Sequence, residues 1–216
     1  MSGLLDLLLP TDCVGCRRPC RILCSQCQEL LRDLAPVQRE LGPDVSVVAA
    51  GAYGGVLREA ILAAKRGGSP RLVGVLAELA GRALIGSRVE PQACPVWLVP
   101  IHSGAQTRTR AGMDLVAEIA SRSCHHARKQ GLQVRVADLL AKTRSAHVQK
   151  GLDRGQRQSN AAGAMRVNHH RLAPGRQYVI FDDVVTTGAT MAEAHRALWA
   201  AGAEAVGAVA LASAST

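Results

Sequence analysis

Aromatic side chains are scarce in this sequence: two Trp, two Tyr and one Phe among 216 residues. A core without them must rest on Val, Leu, Ile and Ala. Hydrophobic residues reach 48%, enough for one ordinary domain with a small appendage. The same scarcity argues against a nucleic-acid platform that stacks bases on rings. No apolar run approaches the roughly 18 residues that cross a bilayer. The first ten residues have no basic flank, carry Asp6 inside their apolar run and lack a small-residue cleavage site, so they do not read as a secretory leader. The expectation is a cytoplasmic chain with no membrane insertion. Thiols stay reduced there, so clustered cysteines read as metal ligands before disulfides.

Acidic residues are also in short supply, 17 against 26 Lys and Arg, and the imbalance is local. Residues 101–176 hold 14 basic and 4 acidic side chains, while residues 177–216 hold 1 basic and 4 acidic ones. A basic segment next to an acidic pair suits a polyanionic ligand carried with a divalent metal.

Hydropathy periods divide the rest. Asp44–Tyr53 is rich in β-branched residues and predicts one or two short strands. Val56–Ala64 has apolar residues at helical spacing, and Lys65-Arg66-Gly67-Gly68-Ser69-Pro70 stops it. Helices are predicted over Arg71–Leu84, Met113–Lys129 and Ala189–Ala201. Strands are predicted over Pro95–Ile101, Gln133–Asp138, Tyr178–Phe181 and Ala205–Leu211. Thr143–Asn160 is polar, basic and aperiodic, and reads as a long, partly helical loop. Alternating strands and helices predict an α/β fold with a mainly parallel sheet.

The strand Tyr178-Val179-Ile180-Phe181 is followed at once by Asp182 and Asp183, then by Val184, Val185 and the run Thr186-Thr187-Gly188-Ala189-Thr190 that opens a helix. Ligands of open α/β sheets bind beyond the carboxyl ends of the strands. A turn into a helix offers unpaired backbone N–H groups to a phosphate. Gly188 permits close approach, the three threonine hydroxyls can donate to phosphate oxygens, and adjacent carboxylates can accept from neighbouring sugar hydroxyls or position a hydrated Mg²⁺.

Cys13-Val14-Gly15-Cys16 and Cys24-Ser25-Gln26-Cys27 are two Cys-x2-Cys pairs separated by seven residues. Four thiolates so spaced suit a tetrahedral, closed, structural Zn²⁺ site, with Cys13, Cys16, Cys24 and Cys27 as ligands. Redox use of either pair is the rival reading, and Cys20 is a spare or substitute ligand. Cys94 and Cys124 read as packed and inert. Cys124-His125-His126 and His169-His170 read as exposed surface patches.

The thirteen residues Tyr178–Thr190 resemble the phosphoribosyl-pyrophosphate (PRPP) signature of type I phosphoribosyltransferases. With the cysteine pairs ahead of it, the chain resembles the ComF family of competence-type proteins, a zinc knuckle joined to such a domain. Leu5–Pro10, Tyr53–Gly67, and Gln149–Arg157 with Asn160, Gly163 and Ala164 also fit that family. The resemblance implies an N-terminal segment over 1–42 and a phosphoribosyltransferase-like domain over 43–216. It implies that Asp182 and Asp183 hold the ribose hydroxyls as the catalytic pair, that residues 184–190 cradle the 5′-phosphate, and that Arg154 and Arg157 contact pyrophosphate. One stretch departs from the family: an Arg-Gly-Phe-Asn-like run is replaced by Ala111-Gly112-Met113-Asp114, preceded by Arg108 and Arg110. That change touches pyrophosphate handling and not 5′-phosphate binding.

Three functions fit. The first is a Mg²⁺-dependent transferase that moves phosphoribosyl to a base or amine. The second is a non-catalytic accessory protein of DNA uptake or recombination. It would bind single-stranded DNA through residues 101–176, take PRPP or a nucleotide as ligand, and have helicase or recombination partners. The third is an interaction module that uses the knuckle.

Overall fold

The computed structural model describes residues 12–42, 45–67, 69–87, 95–102, 114–143, 163–173 and 175–214. Arg154, Arg157, Cys94, Ala111, Gly112 and Met113 lie outside them, as does nearly all of the long basic loop.

Helix α1 (Ser25–Arg32) leads to strands β1 (Val37–Glu40) and β2 (Ser46–Ala52), then to helices α2 (Gly55–Lys65) and α3 (Pro70–Gly86). Strand β3 (Val96–Pro100), helix α4 (Leu115–Lys129) and strand β4 (Val134–Val136) follow. Two short strands, β5 (Leu140–Lys142) and β6 (Met165–Val167), form a separate antiparallel pair. The chain closes with β7 (Gln177–Val185), α5 (Ala189–Ala200) and β8 (Glu204–Ser213).

The main sheet has the order β1-β2-β8-β7-β3-β4. Only β1 is antiparallel; every other neighbouring pair is parallel. The apolar strand runs are continuous because both faces are covered. Along β7, Val179 and Phe181 enter one core cluster and Tyr178 and Ile180 the other. Along β8, Val209 and Leu211 face one way, Ala208 and Ala210 the other. Helices α2, α3 and α4 cover the first face, and α5 covers the second. The result is the predicted α/β architecture, with β7 in the interior of the sheet.

Helix starts follow local chemistry. Ser69 caps α3 by accepting from Leu72 N at 3.3 Å, with Pro70 at the first helical position. Asp114 caps α4 by accepting from Ala117 N at 3.1 Å. That helix therefore starts two residues later than its hydrophobic period suggests. The two long helices approach closely at Gly81, where a Cβ would stand 2.8 Å from the His126 ring.

That contact corrects one surface assignment. Within Cys124-His125-His126, only His125 is exposed; Cys124 is buried and His126 is half-buried against Gly81. His169 and His170 are exposed as expected. Helix α1, strand β1 and the β5–β6 pair carry no period strong enough to announce them.

Candidate functional site

Strand β7 does not stop at Phe181. It continues through both acids to Val185, paired with β8 as far as Ser213. Successive side chains of a strand point to opposite faces, so the two carboxylates diverge. Asp183 turns toward α2 and is buried, and Lys65 Nζ lies 2.7 Å from its Oδ2. Asp182 is half-buried, and its Oδ1 accepts from the Asp183 N–H at 2.8 Å. Burial and the neighbouring Asp183 charge push the Asp182 carboxyl up to about 7, against the pull of that N–H and of Lys65 and Lys142.

Past the acids the chain turns into α5. Gly188 sits at the helix N-cap with φ +81°, a left-handed conformation that favours glycine. A Cβ there would also stand 2.4 Å from Leu41 Cδ2. Thr186, Thr187 and Thr190 are exposed, with their hydroxyls at the start of the helix. Thr187 Oγ1 accepts from Ala189 N at 3.4 Å. Val184 is half-buried, while the Val185 side chain belongs to the core.

Neighbouring elements hold this turn in place. Arg39, on β1, donates to the Thr186 carbonyl, and to the Ala214 carbonyl at 3.3 Å. A cavity of about 490 Å³ opens beside the turn, lined by Arg39, Leu41, Thr187, Gly188, Glu193 and Arg196 among others. Glu193 is buried in α5. Burial pushes its carboxyl up, and the Arg196 guanidinium with the Met165 N–H more than offsets this, leaving it below its ordinary value. That carboxylate joins α5 to β6.

On the other side of β7, Ile101 N donates to Phe181 O at 2.8 Å, so the end of β3 lies beside the acids. A second cavity, about 350 Å³, opens there between Ile101, His102, Asp138, Leu140, Lys142 and Met165. His102 Nε2 lies 2.8 Å from Asp138 Oδ1, and Nδ1 lies 3.7 Å from Asp114 Oδ1. The Asp114 carboxylate beside the ring, and then Asp138, outweigh burial and raise the imidazole to about 9. Arg39, Lys65, His102 and Lys142 are the residues that sequence reasoning missed as site groups. They come from four separate stretches of the chain, and no spacing links them to the motif.

No protein-family model matches the chain, and no curated protein matches it. Solved structures do. A phosphoribosyltransferase from Corynebacterium diphtheriae aligns at 20% identity over 89% of this chain and 83% of its own, with a TM-score of 0.38. Adenine phosphoribosyltransferase from Leishmania tarentolae aligns at 15% identity over 81% of this chain and 80% of its own, with a TM-score of 0.41. Hypoxanthine phosphoribosyl transferase from Trypanosoma cruzi aligns at 13% identity over 64% of this chain, which spans only 60% of that protein, with a TM-score of 0.36. Scores this low leave the assignment of the site to its own geometry.

The cysteines converge as their spacing predicts. The sulfurs of Cys13, Cys16, Cys24 and Cys27 all lie within 4.8 Å of one another, and Cys20 is not in that set. Cys13 and Cys24 sulfurs are 3.7 Å apart, Cys16 and Cys24 sulfurs 3.6 Å. A tetrahedron of thiolates about 2.3 Å from Zn²⁺ has edges of roughly 3.8 Å, so the four fit that metal. Burial pushes the Cys13 thiol up, but the N–H groups of Cys16, Cys24 and Gly15 more than offset this and bring it down to about 6. Arg17 (φ 63°) and Ile22 (φ 76°) hold left-handed backbone without being glycine, which persists only where the surroundings enforce it. No S–S bond joins cysteines among the described residues.

The basic segment is less free than its charge suggests. Arg122 pairs with Glu118 and donates to Pro70 O, and Arg128 donates to Val134 O. Arg171 holds Asp138, and Arg176 stacks on Trp97 at 4.4 Å from the ring centroid. Each of these has a job inside the fold. No helix among the described residues is long and apolar enough to cross a membrane.

Proposed function

We propose that the chain binds PRPP with Mg²⁺ and transfers its phosphoribosyl group to a base or amine. One observation carries this reading. A turn with Gly188 in the left-handed region opens α5 directly after an acid pair, at the carboxyl edge of a parallel sheet. Thr186, Thr187, the backbone N–H groups of Gly188 and Ala189, and Thr190 would take the 5′-phosphate. Asp182 and Asp183 would take the ribose hydroxyls. Arg154 and Arg157 belong to the same reading as pyrophosphate contacts.

Mg²⁺ is expected to arrive on the pyrophosphate. Lys65 already neutralises Asp183, and Mg²⁺ usually takes one or two carboxylates together with substrate phosphates. Displacement at ribose C1 needs no nucleophile from the chain. Positioning and charge neutralisation lower the barrier. Zn²⁺ on the four cysteines is structural, because all four positions of the metal are filled by the chain.

The test is calorimetric titration of the zinc-loaded chain with PRPP and Mg²⁺, with pyrophosphate release followed on the same sample against a panel of bases. Asp182→Asn combined with Asp183→Asn is expected to abolish binding while the circular dichroism spectrum stays unchanged. Undiminished affinity in that double variant would remove the acids from the site. Binding without release in the natural chain would leave a PRPP receptor and no transferase.

A further inference from the structure

Lys65 is the last residue of α2, where a lysine ordinarily faces solvent and favours the negative end of the helix. Here its ammonium reaches across to β7 and stands 2.7 Å from Asp183 Oδ2. That oxygen is buried and has no hydrogen-bond partner besides this ion pair. A buried carboxylate oxygen needs a cation or a donor beside it, and Lys65 is that partner.

The opposite end of α2 is held by the cysteine knuckle. A Cβ on Gly15 would stand 2.8 Å from Cys27 Sγ and 2.9 Å from Val56 Cγ1, so knuckle and helix touch without a gap. Arg17 pairs with Glu59 at 3.7 Å. Leu57, Ala60 and Ile61 share one apolar cluster with Cys13, Cys27 and Leu31. The helix is thus a short rod, clamped by the cysteines near its start and ending on the buried acid.

We propose that Lys65 is a positioning residue of the phosphoribosyl site: its ion pair fixes the Asp183 carboxylate in place, and through α2 it makes that hold depend on the cysteine cluster. The inference rests on the PRPP reading above. Its ligand class is a metal-bound sugar polyphosphate. The ammonium serves that class by fixing the acid in place. Two sites separated along the chain then share one coupling free energy, and metal occupancy at one is felt as affinity at the other.

The experiment is calorimetry of the full, zinc-loaded chain with PRPP and Mg²⁺, comparing the natural protein with Lys65→Met and Lys65→Arg. Lys65→Met is expected to weaken binding about tenfold or more, and Lys65→Arg to restore it to within about threefold, because the cation and not the packed stem is required. Zinc chelation is expected to weaken binding in the natural chain by a larger factor than in Lys65→Met. If Lys65→Met fails to fold, Lys65→Met with Asp183→Asn removes both charges. Its affinity is then expected to equal that of Asp183→Asn alone, whereas additive losses would overturn the link. A natural chain that binds PRPP beside a Lys65→Met variant of equal affinity overturns this inference and leaves the function standing. A natural chain that binds no PRPP overturns both.

Discussion

Two titrating residues give the site a pH dependence. Asp182 rises to about 7 through burial and the nearby Asp183 charge, so the folded chain keeps this proton longer than the unfolded chain does. Its sign is that of a raised acid: stability declines as pH climbs from about 4 to about 7. The carboxylate is the form that accepts a sugar hydroxyl, so PRPP affinity should move the other way. Affinity is expected to rise several-fold between about pH 6 and pH 8, and Asp182→Asn should flatten that profile in calorimetry. His102 runs in the opposite sense. Its folded value of about 9 lies above the ordinary 6.5, so its contribution is full below about pH 6.5 and is lost as pH rises through about 9. Asp138 is exposed enough for solvent to screen the pair, which leaves on the order of 1 kcal/mol. Denaturant unfolding of His102→Gln should show that deficit near pH 6 and none near pH 10. Both acids stood out in the sequence as a pair. Their divergence onto opposite faces did not, because it depends on the strand running four residues further than its apolar run.

At the scale of elements, the turn between β7 and α5 bears two separate demands on Gly188. The φ of +81° costs any side chain about 1 kcal/mol, and a Cβ would strike Leu41. Gly188→Ala is therefore expected to destabilise the chain by about 2 kcal/mol and to weaken phosphate binding. Adding Leu41→Ala should recover the steric part and not the conformational part. Melting temperatures of the two single variants and the double variant separate the contributions; full recovery in the double variant would show that the backbone carries no cost. The glycine turn was legible from the Thr-Thr-Gly run. Leu41 and Arg39 were not. They reach the turn from β1 and the residue after it, and β1 is an antiparallel edge strand whose four residues have no diagnostic period. The β5–β6 pair, at three residues a strand, is equally silent in sequence.

Across the whole molecule, the knuckle and the α/β core are packed as one body of apolar contacts. Cys13, Leu23, Cys27 and Leu31 lie in the same cluster as the helices on one face of the sheet. Loss of the metal should therefore be felt beyond the knuckle itself. Cys24→Ser is expected to release zinc, as read by metal analysis, and to lower the melting temperature by several degrees, consistent with about 1–3 kcal/mol spread over a chain of this length. A variant that loses its zinc and melts unchanged would reduce the cluster to an ornament on an independent core.

The amino-acid sequence by itself determined the fold class, the four cysteines that converge, and the strand, acid pair and glycine turn. Each of these is a local pattern: a hydropathy period, a Cys-x2-Cys spacing, or a turn residue with its own conformational freedom. Only the tertiary structure decided that Lys65 meets Asp183, that Arg39 meets the Thr186 carbonyl, that His102 sits between Asp114 and Asp138, and that four of the basic segment's six described arginines are spent inside the fold. Those are contacts between elements far apart in the chain. They depend on the strand order β1-β2-β8-β7-β3-β4, which sets β7 among neighbours that come from both ends of the sequence.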